Sequence, residues 1–256
     1  MSRLLLPLCF SLAACGDADS GASAQARGES DRPVVFAVNY PLAYFAERIG
    51  GDDVEVRFAV PPDVDPAYWR PGPESINEFQ QADRVLLNGA GYAAWVERAT
   101  LPQSALVDTS RTFADRLVDS GDQIEHTHGP EGAHSHGAKA ITTWLDPELA
   151  IEHARAVRSA LADVAPDSTD RLAERADRLE AELTALDARW SEAFGRVEGE
   201  AWLASHPVYQ YLARRYGLDL VSLHWEPDAA PPESEWTALA AQLRERPARL
   251  RLGEDA

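Results

Sequence analysis

Cysteine is scarce in this sequence, and the place where it occurs is informative. The chain has two cysteines, Cys9 and Cys15, and both lie within the first fifteen residues. The rest of the chain therefore has no cysteine for a disulfide or for a thiol nucleophile. A region of this size needs no disulfide, because it can bury an adequate hydrophobic core.

Basic residues are few relative to acidic ones. The chain has 24 Lys and Arg against 42 Asp and Glu, a formal net charge of -18. Proteins that bind nucleic acid present a basic face, so this balance argues against a nucleic-acid partner. An acidic surface is compatible with the capture of cations, but it also serves plain solubility and decides nothing by itself.

Familiar catalytic motifs are missing as well. The sequence has no Gly-x-Ser-x-Gly elbow and no glycine-rich loop of the kind that cradles phosphates. A hydrolytic zinc enzyme would need three strong protein ligands and an open position for water, and the sequence does not present such a set. We therefore predict a binding protein and not an enzyme.

An apolar run at the N-terminus is too short to span a bilayer. It covers residues 4–12, follows Arg3 and ends in small residues, which is typical of a secretory signal. The end of this run, at residues 12–15, resembles the lipobox of bacterial lipoproteins. The resemblance implies a lipoprotein signal peptide at residues 1–15, cleaved directly before Cys15, and lipid attachment at Cys15. It hence implies a periplasmic or envelope protein anchored to a membrane. An ordinary signal peptide with an incidental cysteine remains the alternative.

Beyond the signal, composition and periodicity predict an α/β fold with mainly parallel sheets. Residues 16–32 are rich in Gly, Ser, Ala and Asp and read as a flexible tether. Short apolar runs then alternate with helical patterns, as βαβ units do. We predict an N-terminal lobe at 33–164, a connecting helix at 165–196 and an incomplete C-terminal lobe at 197–256. Predicted strands lie at 34–38, 54–60, 84–87, 105–107, 201–204, 218–224 and 249–252, and helices at 40–49, 74–82, 92–99, 147–164, 168–194, 207–216 and 233–244.

A histidine-rich stretch interrupts this pattern at 121–139. Four of the seven histidines fall within eleven residues, and they are His126, His128, His134 and His136. Imidazole suits zinc, copper and nickel, and the glycines and proline between the two pairs let them approach each other. A polar loop without a role is the alternative. Ordering such a loop costs about 1–2 kcal/mol per residue, so we expect a weaker, accessory site.

Three further histidines follow predicted elements or lie within one. His206 comes after the strand at 201–204 and before Pro207, which places it at the carboxyl end of a strand, where α/β proteins bind ligands. A capping or core histidine is the alternative. His224 and Glu226 follow the next strand and could reach the same crevice, although a plain loop fits equally well. His153 stands beside Glu152 on a charged helix, and we predict that it is a surface residue.

Several motifs together resemble the zinc and manganese solute-binding proteins of bacterial ABC transporters. They lie at residues 38–51, 61–73, 82–91, 144–150 and 205–218. The resemblance implies two α/β lobes joined by a long helix, with the metal between the lobes and a histidine-rich loop in the zinc members. It also implies a monomer that captures Zn²⁺, or Mn²⁺ or another divalent ion, and passes it to a membrane permease.

The sequence departs from the family pattern at the expected ligands. Ala67 and Thr142 stand where the resemblance places the first two histidines, and His206 keeps the third. In the family the fourth ligand is usually a carboxylate late in the chain, and we expect this chain to end before that region. Glu226, or with less support Glu254 or Asp255, is left to supply it. Two ways of forming a metal site remain. Either the loop imidazoles join His206, with His224 or Glu226 completing the set, or the loop binds the metal alone. The competing hypothesis is a structural or interaction lipoprotein with the same fold and a degenerate site.

Overall fold

The computed structural model describes residues 32–120, 139–223, 225, 230–248 and 250–252. The predicted signal peptide and nearly all of the tether lie outside these residues. The histidines of the 121–139 stretch, together with His224, Glu226, Glu254 and Asp255, also lie outside them. Residues 32–256 group into one compact unit, so the lobe boundaries stay predictions.

The first sheet has four parallel strands in the order β2-β1-β3-β4. They are β1 (Val34–Ala37), β2 (Glu55–Arg57), β3 (Arg84–Leu87) and β4 (Leu106–Asp108). Val35 pairs with Val56, and Phe36 pairs with Val85. The central strands β1 and β3 carry buried apolar residues on both faces, as parallel strands covered on two sides do.

Three helices pack around this sheet, α1 (Tyr40–Gly50), α2 (Pro73–Gln80) and α3 (Pro147–Val164). Asn39 caps α1 by accepting a hydrogen bond from the Leu42 amide, and Asp146 caps α3 in the same way. Shorter 3₁₀ segments cover Gly51–Asp53, Ala94–Arg98, Gln103–Ala105, Arg111–Arg116, Thr143–Leu145 and Pro166–Ser168. The helix predicted at 92–99 is one of these 3₁₀ segments.

One long helix, α4 (Thr169–Gly195), joins the first sheet to the second. Its 27 residues extend about 40 Å. Its first half buries Leu172, Ala176 and Leu179 against α1 and α3. Its last turns place Phe194 against Trp202 and Tyr216 of the C-terminal region. The apolar stripe predicted along this helix thus contacts two different groups of partners.

The second sheet has three parallel strands in the order β6-β5-β7. They are β5 (Ala201–Ala204), β6 (Asp219–Ser222) and β7 (Leu250–Leu252), with helices α5 (Gln210–Tyr216) and α6 (Glu233–Glu245). Gly217, at φ 62°, ends α5 in the left-handed conformation. The predicted α/β class, with two mainly parallel sheets and one long connecting helix, is confirmed.

The prediction that α5 begins at Pro207 is wrong. The helix starts three residues later, because residues 206–209 form a turn in which the Val208 amide donates to the His206 carbonyl. The Gln210 side chain then donates to the Pro207 carbonyl at 2.8 Å.

Within the described ranges, no helix is both long enough and apolar enough to cross a membrane.

Candidate metal centre

Polar side chains gather at the carboxyl ends of the strands in the first sheet. Asn39 follows β1, Asn88 follows β3 and Thr109 follows β4. All three are buried. Because parallel strands end at the same edge, these residues and the 3₁₀ segment at Thr143 meet there, as expected for the ligand side of an α/β sheet.

His206 stands two residues after β5 and is half-buried. Its Nδ1 lies 3.3 Å from the carbonyl oxygen of Trp225. The Trp225 amide in turn donates to the Ser205 carbonyl at 3.0 Å. With the ring proton on Nδ1, this carbonyl accepts it and leaves the Nε2 lone pair for an incoming cation. A carbonyl behind the ring is the usual way in which proteins orient an imidazole ligand.

Thr142, one of the positions where the resemblance implies a histidine, lies against the His206 segment. Its hydroxyl donates to the carbonyl of Val208, two residues after His206. The fold therefore brings positions 142 and 206 into one neighbourhood, as the resemblance implies. The threonine hydroxyl is used within the protein and does not replace an imidazole.

Ala67 lies in a tight turn after β2. Its amide donates to the Asp65 carboxylate at 2.8 Å, and the Tyr68 amide donates to the Asp65 carbonyl at 3.2 Å. Burial, with a smaller contribution from the negative charge of Asp65, raises the pKa of Tyr92. The Tyr92 ring meets Trp144 edge-on at 6.0 Å between centroids. The turn carries no imidazole at position 67.

Among the described residues, no group of three His, Cys, Asp or Glu side chains is arranged to hold a metal ion. His206 is the one residue of the predicted ligand set whose position is described. Whether the loop histidines, His224 or Glu226 approach it lies outside the described residues. Their roles stay predictions.

The prediction that His153 is a surface residue is wrong. Its side chain is 1% exposed and packs edge-on against Phe113. The reason is helical geometry, because His153 stands four residues after Leu149 and four before Val157, both fully buried on the inner face of α3. That spacing could have revealed its burial in the sequence, where the charged neighbours on other faces were given more weight.

Hydrogen bonds hold both ring nitrogens of His153. Thr109 Oγ1 lies 2.6 Å from Nδ1 and donates its own proton to the Leu87 carbonyl at 2.7 Å. It must therefore accept from Nδ1–H, which leaves Nε2 to accept from Thr143 Oγ1 at 2.8 Å. Burial lowers the pKa of His153 to about 3, so the ring is neutral at physiological pH. With both nitrogens engaged, this histidine is a structural residue and not a metal ligand.

Two asparagines continue this network towards the first helix. Asn39 Nδ2 donates to Asn88 Oδ1 at 2.9 Å, and Asn88 Nδ2 donates to the Ile141 carbonyl at 3.0 Å. The chain of bonds ties the ends of β1, β3 and β4 to the segment that carries Thr142. Sequence analysis did not identify these residues as a group, since they are far apart in the chain.

Helix α5, which begins four residues after His206, holds the two ends of the histidine-rich stretch. The Tyr211 hydroxyl accepts from the Val118 amide at 3.2 Å and donates to the Ala140 carbonyl at 2.9 Å. Asp119 and Lys139 form an antiparallel bridge, with 2.6 Å between Nζ and Oδ1. The chain therefore contacts α5, the helix that follows His206, on both sides of the histidine-rich stretch.

Arginines anchor α5 to the rest of the molecule. Arg215 pairs with Asp187 of α4 and with Glu148 of α3, each at 2.6 Å. The Arg215 hydrogen bond lowers the pKa of the Asp187 carboxyl. Arg214 donates to the Arg116 carbonyl, next to the start of the histidine-rich stretch. These contacts fix the helix that follows His206.

Comparisons with known proteins identify the family. The family model described as ZnuA, zinc-uptake complex component A, periplasmic, matches residues 35–254. The zinc-binding lipoprotein AdcA of Streptococcus pneumoniae is 26% identical over 250 residues, which cover 95% of this chain and 48% of AdcA. The high-affinity zinc uptake system protein ZnuA of Bacillus subtilis is 27% identical over 247 residues, covering 94% of this chain and 76% of ZnuA. The chain thus spans about half the length of the AdcA protein.

Solved structures agree on the fold. The metal-dependent lipoprotein YcdH of Bacillus subtilis superposes with a TM-score of 0.73 at 23% identity, covering 88% of this chain and 79% of YcdH. A crystal structure of ZnuA gives a TM-score of 0.68 at 25% identity, covering 84% and 80%. The family match extends over both sheets and the long helix between them, and this chain belongs to the ZnuA family of periplasmic zinc-uptake components.

Proposed function

We propose that this protein captures a divalent metal ion, zinc in the first place, and delivers it to the permease of an ABC-type importer. The observation that carries the proposal is His206, oriented by the Trp225 carbonyl at the end of β5 in a chain of the zinc-uptake family. Relatives support both zinc and manganese as cargo, since they include AdcA and a manganese-binding lipoprotein, PsaA, of Streptococcus pneumoniae. Imidazole ligands favour zinc over manganese, which prefers oxygen.

The ligand set that we propose joins His206 to imidazoles of the histidine-rich stretch. His126, His128, His134 and His136 belong to a segment whose two ends rest on α5, close in sequence to His206. His224 and Glu226 are the chain neighbours of Trp225, whose carbonyl lies 3.3 Å from the His206 ring. Both groups of candidates are thus connected to His206 through contacts of the described chain. Zinc sites take three or four protein ligands, so two or three of these side chains would complete the set with His206.

The transport step in this proposal is ligand exchange and not catalysis. The ion passes from the loop histidines to the site at His206 and then to the permease. The protein acts in the periplasm or cell envelope as a monomer, held to the membrane by lipid on Cys15. Mass spectrometry of the membrane fraction, with Cys15→Ser as the comparison, tests the anchor. A Cys15→Ser protein that still fractionates with membranes and carries lipid would contradict it.

A second function, that of a structural or interaction lipoprotein, is favoured by one observation. In the part of the chain that the structure describes, no three ligand-type side chains come together, and positions 67 and 142 carry no imidazole. If no second ligand approaches His206, the protein has the fold of the family but no metal site. The two functions make opposite predictions for metal binding.

Isothermal titration with zinc at neutral pH separates them. The chain from Gly16 is compared with a deletion of 121–138 and with His206→Ala, and His224→Ala tests the second candidate histidine. Metal capture predicts binding that weakens at least tenfold when a ligand is lost, about 1.4 kcal/mol or more. Absence of zinc binding by the unaltered protein would reject the transport proposal in favour of the second function.

A further inference from the structure

A cavity of about 570 Å³ opens beside the turn that contains Ala67. Its walls come from this turn, from α2 and from the 3₁₀ segment Ala94–Arg98. Trp69, Trp95 and Ile76 supply the apolar surface. The volume falls within the range of about 300–1,000 Å³ that small-molecule sites occupy. His206, the described residue assigned above to metal capture, does not line it.

The aromatic walls of the cavity are held in place from behind. Phe79, which is 1% exposed, lies under both indoles, at 4.9 Å from Trp95 and 6.3 Å from Trp69 between centroids. The two indoles meet edge-on at 6.0 Å. Gln80 Nε2 donates to the Thr100 carbonyl at 2.8 Å and joins α2 to the opposite wall. A site built in advance loses little conformational entropy when a ligand enters.

The charge of the lining is opposite to that of the molecule. Among the described residues, the cavity is lined by two arginines, Arg70 and Arg98, and by no Asp or Glu, in a chain of net charge -18. Both guanidinium groups are exposed, and neither has a carboxylate partner among the described residues. Elsewhere arginines such as Arg48, Arg175 and Arg215 are each paired with an acidic side chain. Two unpaired guanidinium groups beside two indoles form a site for an anion with a flat body.

We propose that this cavity binds a small organic anion with a planar aromatic body, of the aromatic carboxylate class. The ring contacts Trp69 and Trp95, and the carboxylate pairs with the guanidinium groups of Arg70 and Arg98. Arginine suits this role because its planar fork donates two parallel hydrogen bonds to a carboxylate. The proposal does not depend on metal capture, since it involves neither His206 nor the histidine-rich stretch.

The test is calorimetric titration of the full chain, carrying Cys15→Ala so that it is not lipidated, with 2-naphthoate. The neutral analogue 2-naphthamide has the same ring system without the charge. Arg70→Gln and Arg98→Gln remove one guanidinium each at exposed positions, where folding is little affected. Arg189→Gln, at an exposed position of α4 outside the cavity, is the matched control. Quenching of tryptophan fluorescence, with Trp95→Phe for comparison, reports where the ligand sits.

We expect 2-naphthoate to bind and 2-naphthamide to bind at least about tenfold more weakly, since the amide cannot form charge-assisted hydrogen bonds with the guanidinium groups. Arg70→Gln and Arg98→Gln should each weaken 2-naphthoate by a similar factor, and Arg189→Gln should leave it unchanged. Equal affinity for the acid and the amide would overturn the proposal, because the cavity would then be an apolar surface only. Absence of binding at millimolar concentration, or arginine variants that bind like the unaltered chain, would overturn it too.

Discussion

Burial of His153 makes the stability of the protein depend on pH. The unfolded chain takes up a proton on this imidazole near pH 6.5, whereas burial in the folded protein lowers the pKa to about 3. The contribution of the neutral ring is therefore fully present above pH 6.5 and is lost as the pH falls from 6.5 towards 3. Within that window the free energy of unfolding should fall by up to about 1.4 kcal/mol per pH unit from this group alone.

Denaturant unfolding of the unaltered protein and of His153→Gln measures this dependence. Glutamine does not titrate, so the stability curve of the variant reports the pH dependence that comes from the other titratable groups, which both proteins share. We expect the variant to be less stable at pH 7.5 and to lose less stability between pH 6.5 and pH 4. Parallel curves for the two proteins would show that His153 titrates normally and is accessible to water.

Thr142 offers the most direct route to a stronger metal site. Its hydroxyl contacts the Val208 carbonyl, so a longer side chain at this position begins beside the His206 segment. We expect Thr142→His to raise zinc affinity at least about tenfold, because a second imidazole adds a strong ligand next to His206. Thr142→Gln is the control for size without an imidazole. Equal affinities for the histidine and glutamine variants in a zinc titration would mean that position 142 does not face the metal.

Helix α5 follows His206 in the chain, and its residue Tyr211 contacts the chain on both sides of the histidine-rich stretch. Its side chain is fully buried, and its hydroxyl bonds both to Val118 and to Ala140. Tyr211→Phe leaves the half-buried Val118 amide and the buried Ala140 carbonyl without this partner, and should lower the free energy of unfolding by about 1–3 kcal/mol. Tyr40→Phe, at an exposed tyrosine, should be nearly neutral in the same denaturant titration. A neutral Tyr211→Phe would mean that water replaces the hydroxyl and that α5 is not fixed in this way.

The turn after β3 depends on a glycine. Gly89 has φ +72°, and a Cβ added there would lie 1.9 Å from the Ser110 hydroxyl oxygen at the end of β4. Gly89→Ala should therefore destabilise the protein by several kcal/mol, since the left-handed conformation alone costs about 1–2 kcal/mol and the contact adds to it. Gly72→Ala is the matched control, because its Cβ would meet no atom within 4 Å. Similar melting temperatures for the two variants would contradict the close approach of β3 and β4 at this edge.

At the scale of the whole molecule, metal capture should couple to protons and to stability. Zinc binds neutral imidazole, so affinity should fall as the pH drops through about 6.5. Zinc at a hundredfold excess over its dissociation constant should raise the free energy of unfolding by about 2.7 kcal/mol. Calorimetric titrations at pH 7.5, 6.5 and 5.5 and zinc-dependent melting curves measure both effects. An affinity that does not change with pH would exclude imidazole ligation.

Much of the architecture could be predicted from short-range sequence patterns. Apolar or alternating runs indicated the seven strands that the described residues form. Helical patterns indicated α1 and α3, and the spacing of one apolar stripe indicated α4. Strand ends and helix starts were less well predicted: β2 covers Glu55–Arg57 only, and α5 begins at Gln210. These boundaries depend on hydrogen bonds such as that of Gln210 to Pro207, which composition does not reveal.

The candidate site could be predicted only in part. His206 was identified because it follows a strand, which is a local feature of the sequence. The network of Asn39, Asn88, Thr109, Thr143 and His153 was not, because its members come from five elements and meet only when the sheet and α3 pack together. The contact between Thr142 and Val208 is of the same kind, since 66 residues separate its partners.

The sequence by itself thus determined the class of fold, the long connecting helix and the place of His206, because periodicity and turn residues act within a few positions of the chain. Only the tertiary structure decided which groups hydrogen-bond the two ring nitrogens of His153 and that Thr142 lies against the segment after His206. It also decided that α5 holds both ends of the histidine-rich stretch. The physical reason is that burial and hydrogen-bond partners are properties of surfaces brought together in space, and residues far apart in the chain supply those surfaces.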